Sequence, residues 1–226
     1  MKAFERPGPV NTDAVINLAQ AAAAKCDAIV VASITGDSAR RAAERIKDKK
    51  ILCVTCPQGM NWEVDRMDDG PFAAIPELAQ IRADWRRRGL SQVPMYLSAE
   101  NRERLERLNV DVVRGTIPLF SPTFSMRVHL RKVTDLDVAA KTLEMISTGT
   151  LVGLECVLMC VDAGKIPEGA TVLALAGTER GLDTAWTIKS CASANLFHPT
   201  KGARFIELLA KPGVSFVPDV NIEYLR

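Results

Sequence analysis

The chain has 226 residues, with 29 Lys and Arg against 27 Asp and Glu and a hydrophobic fraction of 47%. A chain that can bury so many residues and carries a net charge of only +2 is not intrinsically disordered. The charge balance gives no basic stripe of the kind that nucleic-acid-binding domains carry, and the uncharged runs fall well short of the roughly 20 apolar residues of a membrane span. The first residues carry charges without an apolar segment behind them, unlike a secretory signal. We therefore expect a soluble, cytoplasmic protein that binds neither nucleic acid nor membranes.

The six cysteines lie mostly within apolar runs, which is typical of buried thiols in a reducing compartment. Cys53 and Cys56 have the spacing of a redox CxxC motif, but Cys53 falls inside a predicted strand rather than at a helix N-terminus, so we interpret both as structural thiols. Cys156 and Cys160 are four residues apart on a predicted buried helix, with no matching Cys or His pair nearby. The sequence therefore predicts no metal site.

The first part of the chain predicts a βαβ unit. The N-cap sequence at 11–13 begins an Ala- and Leu-rich helix that extends to Lys25. A short apolar run at 27–33 predicts a buried strand, a helix follows over about 38–47, and 51–55 predicts the second strand. Strands joined through a helix pair in parallel, with a right-handed crossover.

Two later stretches have no clear hydrophobic period. Residues 56–72 and 115–133 are rich in Gly, Pro or Phe, and long irregular connections are often lids or binding loops. We therefore interpret both stretches as candidate covers of a site. Between them, helices are predicted over 75–88 and 99–108, and a third strand over 110–113.

The rest of the chain continues the alternation of helices and strands. A capping sequence at 134–137 begins a helix, and the segment 151–163 is apolar nearly all round, which is typical of a helix buried on every side. A strand is predicted over 171–176 and a last strand at the sheet edge over 214–217. The segment 184–190 fits either a helix or a strand.

One doubly wound α/β domain over residues 1–226, with helices on both faces of the sheet, accounts for this alternation. In such sheets ligands bind beyond the carboxyl ends of the strands, which is where the loop SITGDS lies. The hydroxyls of Ser33, Thr35 and Ser38 can donate to a phosphate oxygen beside the positive end of a helix dipole, and Gly36 lets the backbone approach closely. The same residues could instead only cap the helix and turn the chain.

The loop GTERGLDT also follows a predicted strand, and it carries two glycines, two threonines and Arg180. Two polar, Gly-containing turns at the carboxyl ends of neighbouring strands can converge on one ligand. Neither loop matches a Walker A or GxGxxG pattern, which argues against a nucleoside triphosphatase and an ordinary dinucleotide dehydrogenase. The residues predicted to bind a phosphorylated ligand are Ser33, Thr35, Gly36, Asp37, Ser38, Thr55, Gly177, Thr178, Arg180, Gly181, Asp183 and Thr184.

Glu155 and Asp162 are the charged residues of the predicted buried helix, and they share one stripe of it. A buried charge without a partner is costly, so each carboxylate needs a partner, a ligand or an exposed edge. Glu155 could face a ligand, or could only favour the helix dipole from the first turn. Asn195 and Phe197 follow the possible fifth strand and could wall the same pocket, although packing of a surface loop explains them equally well.

Several motifs resemble the C-terminal domain of pyruvate kinase. The resemblance starts in the segment 17–55, which contains AIVVASITGDSARRAAERIKDKKILCVT, and continues in IPEGATVLALAGTERGLDTAWTI. The whole chain is similar to a small stand-alone family of largely uncharacterised proteins built on that domain. The shared patterns are FERPG at 4–8, NT at 11–12, VASITGDSA at 31–39, VT at 54–55, GT at 149–150, DAG at 162–164, IP at 166–167 and GTxRGxDTA at 177–185.

The resemblance implies a three-layer α/β/α fold with a mostly parallel sheet of strand order 3-2-1-4-5 plus an edge strand. In pyruvate kinase this domain holds the phosphate of an allosteric sugar bisphosphate, which implies a small phosphorylated ligand here. Flavin mononucleotide (FMN) is the cofactor that the resemblance suggests, without a metal. Phosphoryl transfer from phosphoenolpyruvate is not carried over, because pyruvate kinase performs it in a separate barrel domain that this chain has no room for.

Two functions are compatible with these residues. The first is a binding protein or enzyme whose two loops hold the phosphate of a small cofactor beneath the stretch 56–72. The second is a regulatory or homo-oligomer-forming module without chemistry of its own, as the domain is in pyruvate kinase.

Overall fold

Nine strands form in the computed structural model, which describes residues 1–67 and 70–214. They are β1 (Lys2–Phe4), β2 (Ala28–Ala32), β3 (Lys50–Thr55), β4 (Asn61–Glu63), β5 (Gln92–Pro94), β6 (Asp111–Arg114), β7 (Thr171–Ala176), β8 (Thr184–Lys189) and β9 (Arg204–Pro212). Seven of them form one sheet in the order β1-β9-β8-β7-β2-β3-β6, and β4 pairs with β5 in a separate antiparallel ribbon. The sheet is mostly parallel, with β8 running antiparallel to both of its neighbours.

Eight α-helices connect these strands within the described part of the chain. They are α1 (Thr12–Ala22), α2 (Asp37–Arg45), α3 (Pro71–Ala74), α4 (Pro76–Arg87), α5 (Ala99–Arg107), α6 (Ser121–Leu130), α7 (Asp135–Glu144) and α8 (Thr148–Asp162). The hydroxyls of Ser98 and Ser147 cap the N-termini of α5 and α8, and Thr134 and Asp137 form a capping box on α7. Over residues 1–67 and 70–214, no helix has both the length and the apolar character needed to span a membrane.

The central strands are buried because helices cover both faces of the sheet. On one face, Ile16 of α1 and Ala39 of α2 pack in one cluster with Ile29 of β2. On the other face, Val157 of α8 packs in a second cluster with Val30 of β2. Successive strand residues point to opposite faces, so the continuous apolar run of β2 serves both clusters. This arrangement is the three-layer α/β/α fold that the sequence predicts.

The middle of the sheet follows the order β6-β3-β2-β7-β8. These strands correspond to the third, second, first, fourth and fifth strands of the sequence prediction. The ambiguous segment 184–190 forms β8, which is antiparallel to β7 because residues 177–183 reverse the chain in a tight loop.

The edge of the sheet differs from the sequence prediction. Of the strand predicted over 214–217, all but Val214 lies outside the described residues, and Val214 belongs to no strand. The last described strand is β9, and β1 pairs with it in parallel. The sequence patterns missed both strands. The strand β1 has only three residues, and exposed charged residues such as Arg204 and Glu207 interrupt the apolar residues of β9, so its burial has no period of two.

Two stretches predicted to be irregular contain regular structure, so that part of the prediction is wrong. Within 115–133 the chain forms α6, where Pro122 is tolerated because the first turn of a helix loses no backbone hydrogen bond to proline. Within 56–72, β4 pairs with β5, and Pro71 begins the short helix α3. The prolines and glycines that interrupt the apolar period here mark the boundaries of short elements.

The ribbon of β4 and β5 packs with α3 and α4 around Trp62, Phe72 and Trp85. The centroids of these three rings are 5.3 to 6.1 Å apart, in tilted and edge-to-face arrangements. We call this unit, residues 60–67 and 70–95, the accessory layer. Ile34, which follows β2, packs against its core, so the accessory layer lies at the carboxyl ends of the parallel strands.

Candidate functional site

A cavity of about 480 Å³ opens at the carboxyl ends of β2, β3 and β7. Its volume falls within the range of small-molecule sites. Nine of the residues predicted for the site line this cavity: Ser33, Thr35, Asp37, Ser38, Thr55, Glu155, Gly177, Arg180 and Gly181. The two loops singled out in the sequence therefore border the same cavity.

The hydroxyl groups in and beside the loop after β2 fall into two sets, of which one forms hydrogen bonds that hold the loop and the other has no partner. The Ser33 Oγ accepts a hydrogen bond from the Ala39 N–H at 3.3 Å, and the Thr55 Oγ1 donates to the Ile34 carbonyl at 2.7 Å. In the described part of the chain, the hydroxyls of Thr35 and Ser38 have no hydrogen-bond partner. Ser33 and Thr55 thus hold the loop in place, while Thr35 and Ser38 remain available at the N-terminus of α2.

Gly36 caps the N-terminus of α2 in a conformation that favours glycine. Its φ is +88°, and a Cβ at this position would lie 2.4 Å from the Leu97 Cδ1. The glycine therefore allows the turn and the close approach of Leu97, and it does not line the cavity. Asp37, the next residue, is exposed and forms an ion pair with Arg40 at 2.8 Å.

The loop after β7 is held to the N-terminal segment by Asp183. The Asp183 carboxylate is fully buried and accepts hydrogen bonds from the N–H groups of Gly8 at 3.0 Å and Thr178 at 3.1 Å. Burial raises the pKa of Asp183, and these hydrogen bonds act in the opposite direction. Asp183 and Thr178 do not line the cavity, so their contacts are those of a loop anchor.

Thr184 also lies outside the cavity lining, where it ties β8 to the start of α8. Its Oγ1 is 3.1 Å from the Ser147 Oγ, and the Trp186 Nε1 donates to the Thr150 Oγ1 at 2.9 Å. Gly149 fits between these groups, since a Cβ there would lie 2.4 Å from the Thr184 Oγ1. This buried polar chain fixes the first turn of α8 beside the cavity.

Arg180 is the cation of the second loop. Its guanidinium lies 5.5 Å from the centre of the Trp62 ring, and burial lowers its pKa from the ordinary arginine value. The Trp62 Nε1 also donates to the Glu179 Oε2 at 3.1 Å, and burial raises the pKa of Glu179. Within residues 1–67 and 70–214 the Arg180 guanidinium has no ion pair. By contrast, Arg41, the other arginine of the cavity lining, pairs with Asp13 at 2.8 Å.

Glu155 lies in the wall formed by α8 and is only 5% exposed. Its Oε1 is buried without a hydrogen-bond partner among the described residues. Burial, the largest cause, and the nearby Glu144 together raise the pKa of Glu155 to about 8, although a backbone hydrogen bond from Leu119 acts in the opposite direction. The side chain is therefore mostly protonated at neutral pH.

The remaining walls of the cavity are largely apolar. Met60, Ile81 and Met95 come from the accessory layer, and Ile117 and Phe120 come from the segment between β6 and α6. The stretches 56–72 and 115–133 therefore both contribute walls. Their movement as a lid stays a prediction.

The structure places Asn195 and Phe197 away from the cavity. The Asn195 Nδ2 donates to the Glu168 Oε1 at 2.7 Å, and Phe197 is 72% exposed. Because β8 is antiparallel to the central strands, the chain leaves it at the opposite edge of the sheet. Asp162 is also exposed and accepts a hydrogen bond from the Ser193 N–H at 2.9 Å.

Sequence reasoning missed several residues that line the cavity, among them Arg41, Glu144, Thr148 and Glu179. Glu144 carried a usable signal, because an acidic residue in the last turn of a helix opposes the helix dipole. Glu179 has a φ of +61°, a strained conformation that its residue type does not reveal. The apolar residues of the accessory layer reach the cavity only through tertiary packing.

The cysteines have the environment of structural thiols. Burial raises the pKa of both Cys53 and Cys56 to about 12, and it raises that of Cys160 to about 12 as well. Thiolates are therefore scarce at neutral pH, in agreement with the interpretation of the CxxC spacing as structural.

The comparison with known families matches most of the part of the chain that builds this site. The family model described as pyruvate kinase, alpha/beta domain matches residues 13–189, which is more than half of the chain. The matched region runs from α1 through β8 and includes both loops and α8. The chain therefore belongs to the pyruvate kinase alpha/beta domain family.

Proposed function

We propose that the protein binds a small ligand that carries a phosphate group on an apolar, ring-containing body, and that it is not itself a pyruvate kinase. The observation that carries the proposal is the single cavity bordered by both loops, by the N-termini of α2 and α8 and by apolar walls. Sites of this kind combine an apolar lining with a few polar groups that orient the ligand.

We assign the phosphate of this ligand to the part of the cavity at the N-terminus of α2. Helix N-termini carry free N–H groups and a partial positive charge, which favour anions. Among the described residues that line the cavity, the hydroxyls of Thr35 and Ser38 and the guanidinium of Arg180 are donors without a hydrogen bond or an ion pair. A phosphate accepts several hydrogen bonds at once, so it can use all three donors.

FMN is the specific candidate for this ligand. The three donors suit its phosphate, and the apolar walls with Met60, Met95 and Phe120 suit a flat ring. When bound, a flavin supplies hydride or single-electron transfer. The protein residues would bind the phosphate, orient the ring and exclude water from it.

The test is FMN binding by the purified full chain. We expect visible flavin absorbance as isolated or, after addition of FMN at about 100 times its Kd, stabilisation of roughly 2.7 kcal/mol, which is about 5–10 °C in Tm. Arg180→Gln should weaken FMN binding about 10- to 100-fold and Thr35→Val about 2- to 10-fold, because each removes a donor to the phosphate.

Matched controls replace the same residue types on the surface. Arg107→Gln and Thr142→Val change exposed residues of α5 and α7 and should leave binding unchanged. The proposal fails if the protein has no flavin absorbance and gains no stability from FMN, fructose 1,6-bisphosphate or inorganic phosphate. It also fails if Arg180→Gln binds FMN as tightly as the wild type does.

A second candidate function is a regulatory or homo-oligomer-forming module. Large apolar side chains on or beside α6 and α7 are exposed, namely Phe124, Leu130, Val133, Val138 and Met145. Exposed apolar surface of this kind often marks a protein interface. Light scattering of wild type and the double variant Val138→Ser, Met145→Ser tests it. A concentration-dependent oligomer lost in the variant supports this function, whereas a monomeric wild type contradicts it.

A further inference from the structure

One fully buried polar atom in the cavity wall has no hydrogen-bond partner among the described residues. In the described part of the chain, the buried side-chain atoms without a hydrogen bond are the Arg40 Nε and the Glu155 Oε1. Of these two residues, only Glu155 lines the cavity. Buried polar groups in native proteins are nearly always hydrogen-bonded, and an exception needs an explanation.

The position of Glu155 on α8 separates it from the phosphate end. The helix lines the cavity from Thr148 in its first turn to Met159. Glu155 is seven residues beyond Thr148, which is on the order of 10 Å along the helix axis. The phosphate donors Thr35 and Ser38 lie at the start of α2, which packs on the opposite face of the sheet from α8. A phosphate held by these donors therefore leaves Glu155 to face another part of the same ligand.

The surroundings of Glu155 favour its neutral form. The ionisable groups that interact with it are Glu144 at the end of α7 and Cys156 on its own helix, and neither is a cation. Burial raises the pKa of the Cys156 thiol, so this thiol stays protonated near neutral pH. In the neutral form, one carboxyl oxygen accepts the Leu119 N–H, and the unpartnered Oε1 is the oxygen available to carry the proton as an O–H group.

We propose, on the basis of the proposed function, that Glu155 recognises the ring of the ligand by donating a hydrogen bond from its carboxylic acid. The partner is an acceptor on the ring, either a carbonyl oxygen or an unprotonated ring nitrogen. The unpartnered Oε1 supplies the donor, and its distance from Thr35 and Ser38 sets the separation between the phosphate and the acceptor. The ligand class is thus a phosphorylated heterocycle with an acceptor edge.

FMN, riboflavin and inorganic phosphate are the probes that test this assignment. From pH 7 to 9 the Kd of wild type for FMN should rise about tenfold as Glu155 ionises, which follows from a pKa of about 8. Glu155→Gln keeps an N–H donor and should bind FMN within about threefold of wild type at pH 7, without this pH dependence. Glu155→Leu removes the donor and should weaken FMN and riboflavin binding about 2- to 10-fold, while phosphate binding is unchanged.

The outcomes separate this inference from the proposed function. Riboflavin lacks the phosphate, so its affinity should respond to Glu155→Leu but not to Arg180→Gln. If FMN binds wild type and Glu155→Gln with the same pH profile, Glu155 is not the donor and the proposed function stands. Binding of phosphate without FMN or riboflavin also overturns the inference and leaves the phosphate site standing. If none of the three probes binds, both proposals fall.

Discussion

Glu155→Gln is expected to change how the stability of the unliganded protein depends on pH. The pKa of Glu155 is about 8 in the folded protein against an ordinary value of 4.5. Between pH 4.5 and about pH 8, Glu155 has lost its proton in the unfolded chain but keeps it in the folded protein, so rising pH favours unfolding. The stability that neutral Glu155 contributes is therefore fully present below pH 4.5, is lost progressively up to about pH 8 and changes little above it.

The magnitude follows from the size of the shift. Each unit of pKa difference corresponds to about 1.36 kcal/mol, so the full shift is worth about 5 kcal/mol. Over the window from pH 5.5 to 8 the free energy of unfolding of wild type should fall by about 3 kcal/mol relative to Glu155→Gln. Glutamine keeps the acceptor for the Leu119 N–H and places an uncharged amide where the unpartnered oxygen lies.

Urea unfolding of both proteins at pH 5.5, 7, 8 and 9 measures this difference. Groups other than Glu155 titrate in both proteins and cancel in the comparison. Glu103→Gln, which changes an exposed residue of α5, is the matched control and should alter stability by no more than a few tenths of a kcal/mol at each pH. Parallel curves for wild type and Glu155→Gln from pH 5.5 to 8 would refute the assignment of a neutral buried carboxyl.

Three further predictions concern the framework of the site. Gly36→Ala should lower the free energy of unfolding by about 2–4 kcal/mol, because it adds a clash with Leu97 to backbone strain. Gly59→Ala has the same φ of +88° but open space around it, so it should cost only about 1 kcal/mol in urea unfolding. Asp183→Ala leaves two buried N–H groups unpaired and should lower the free energy of unfolding by about 2–5 kcal/mol. Asp162 is exposed, so Asp162→Ala should lower it by less than about 1 kcal/mol. Equal losses of stability in the two variants would contradict the anchoring role of Asp183. All six thiols should react slowly with iodoacetamide at pH 8 until urea unfolds the protein, and mass spectrometry of the alkylated chain measures this rate. Rapid labelling of Cys56 in the folded protein would contradict its raised pKa.

The parts of the site that the sequence predicted are those with local signals. The branched apolar run of β2 and the glycine turn after it lie within a dozen residues, and strand, turn and helix cap are all decided by near neighbours. The sequence pointed to Glu155 because a carboxylate inside an apolar helix is unusual, however the helix packs in the fold. Such signals need no knowledge of the tertiary fold.

The parts that the sequence could not predict depend on distant contacts. The orientation of β8 decides the edge of the sheet at which Asn195 and Phe197 lie, and the ambiguous residues 184–190 left that orientation open. The role of Asp183 as an anchor depends on Gly8, which is 175 residues away in the chain. Met95 reaches the cavity only because the aromatic core of the accessory layer holds β5 against β4.

The pairing of β1 with β9 has a consequence for the order in which the chain acquires structure. Lys2 pairs with Ala210, so β1 can form this pairing only after β9, the last of the described strands, has been synthesised. The segment after β1 supports the second loop, since Gly8 donates to Asp183 and Pro9 lies against Gly181. During synthesis, the sheet from β2 to β7 can therefore form while the chain is incomplete, but the cavity reaches its final shape only after β9 has emerged.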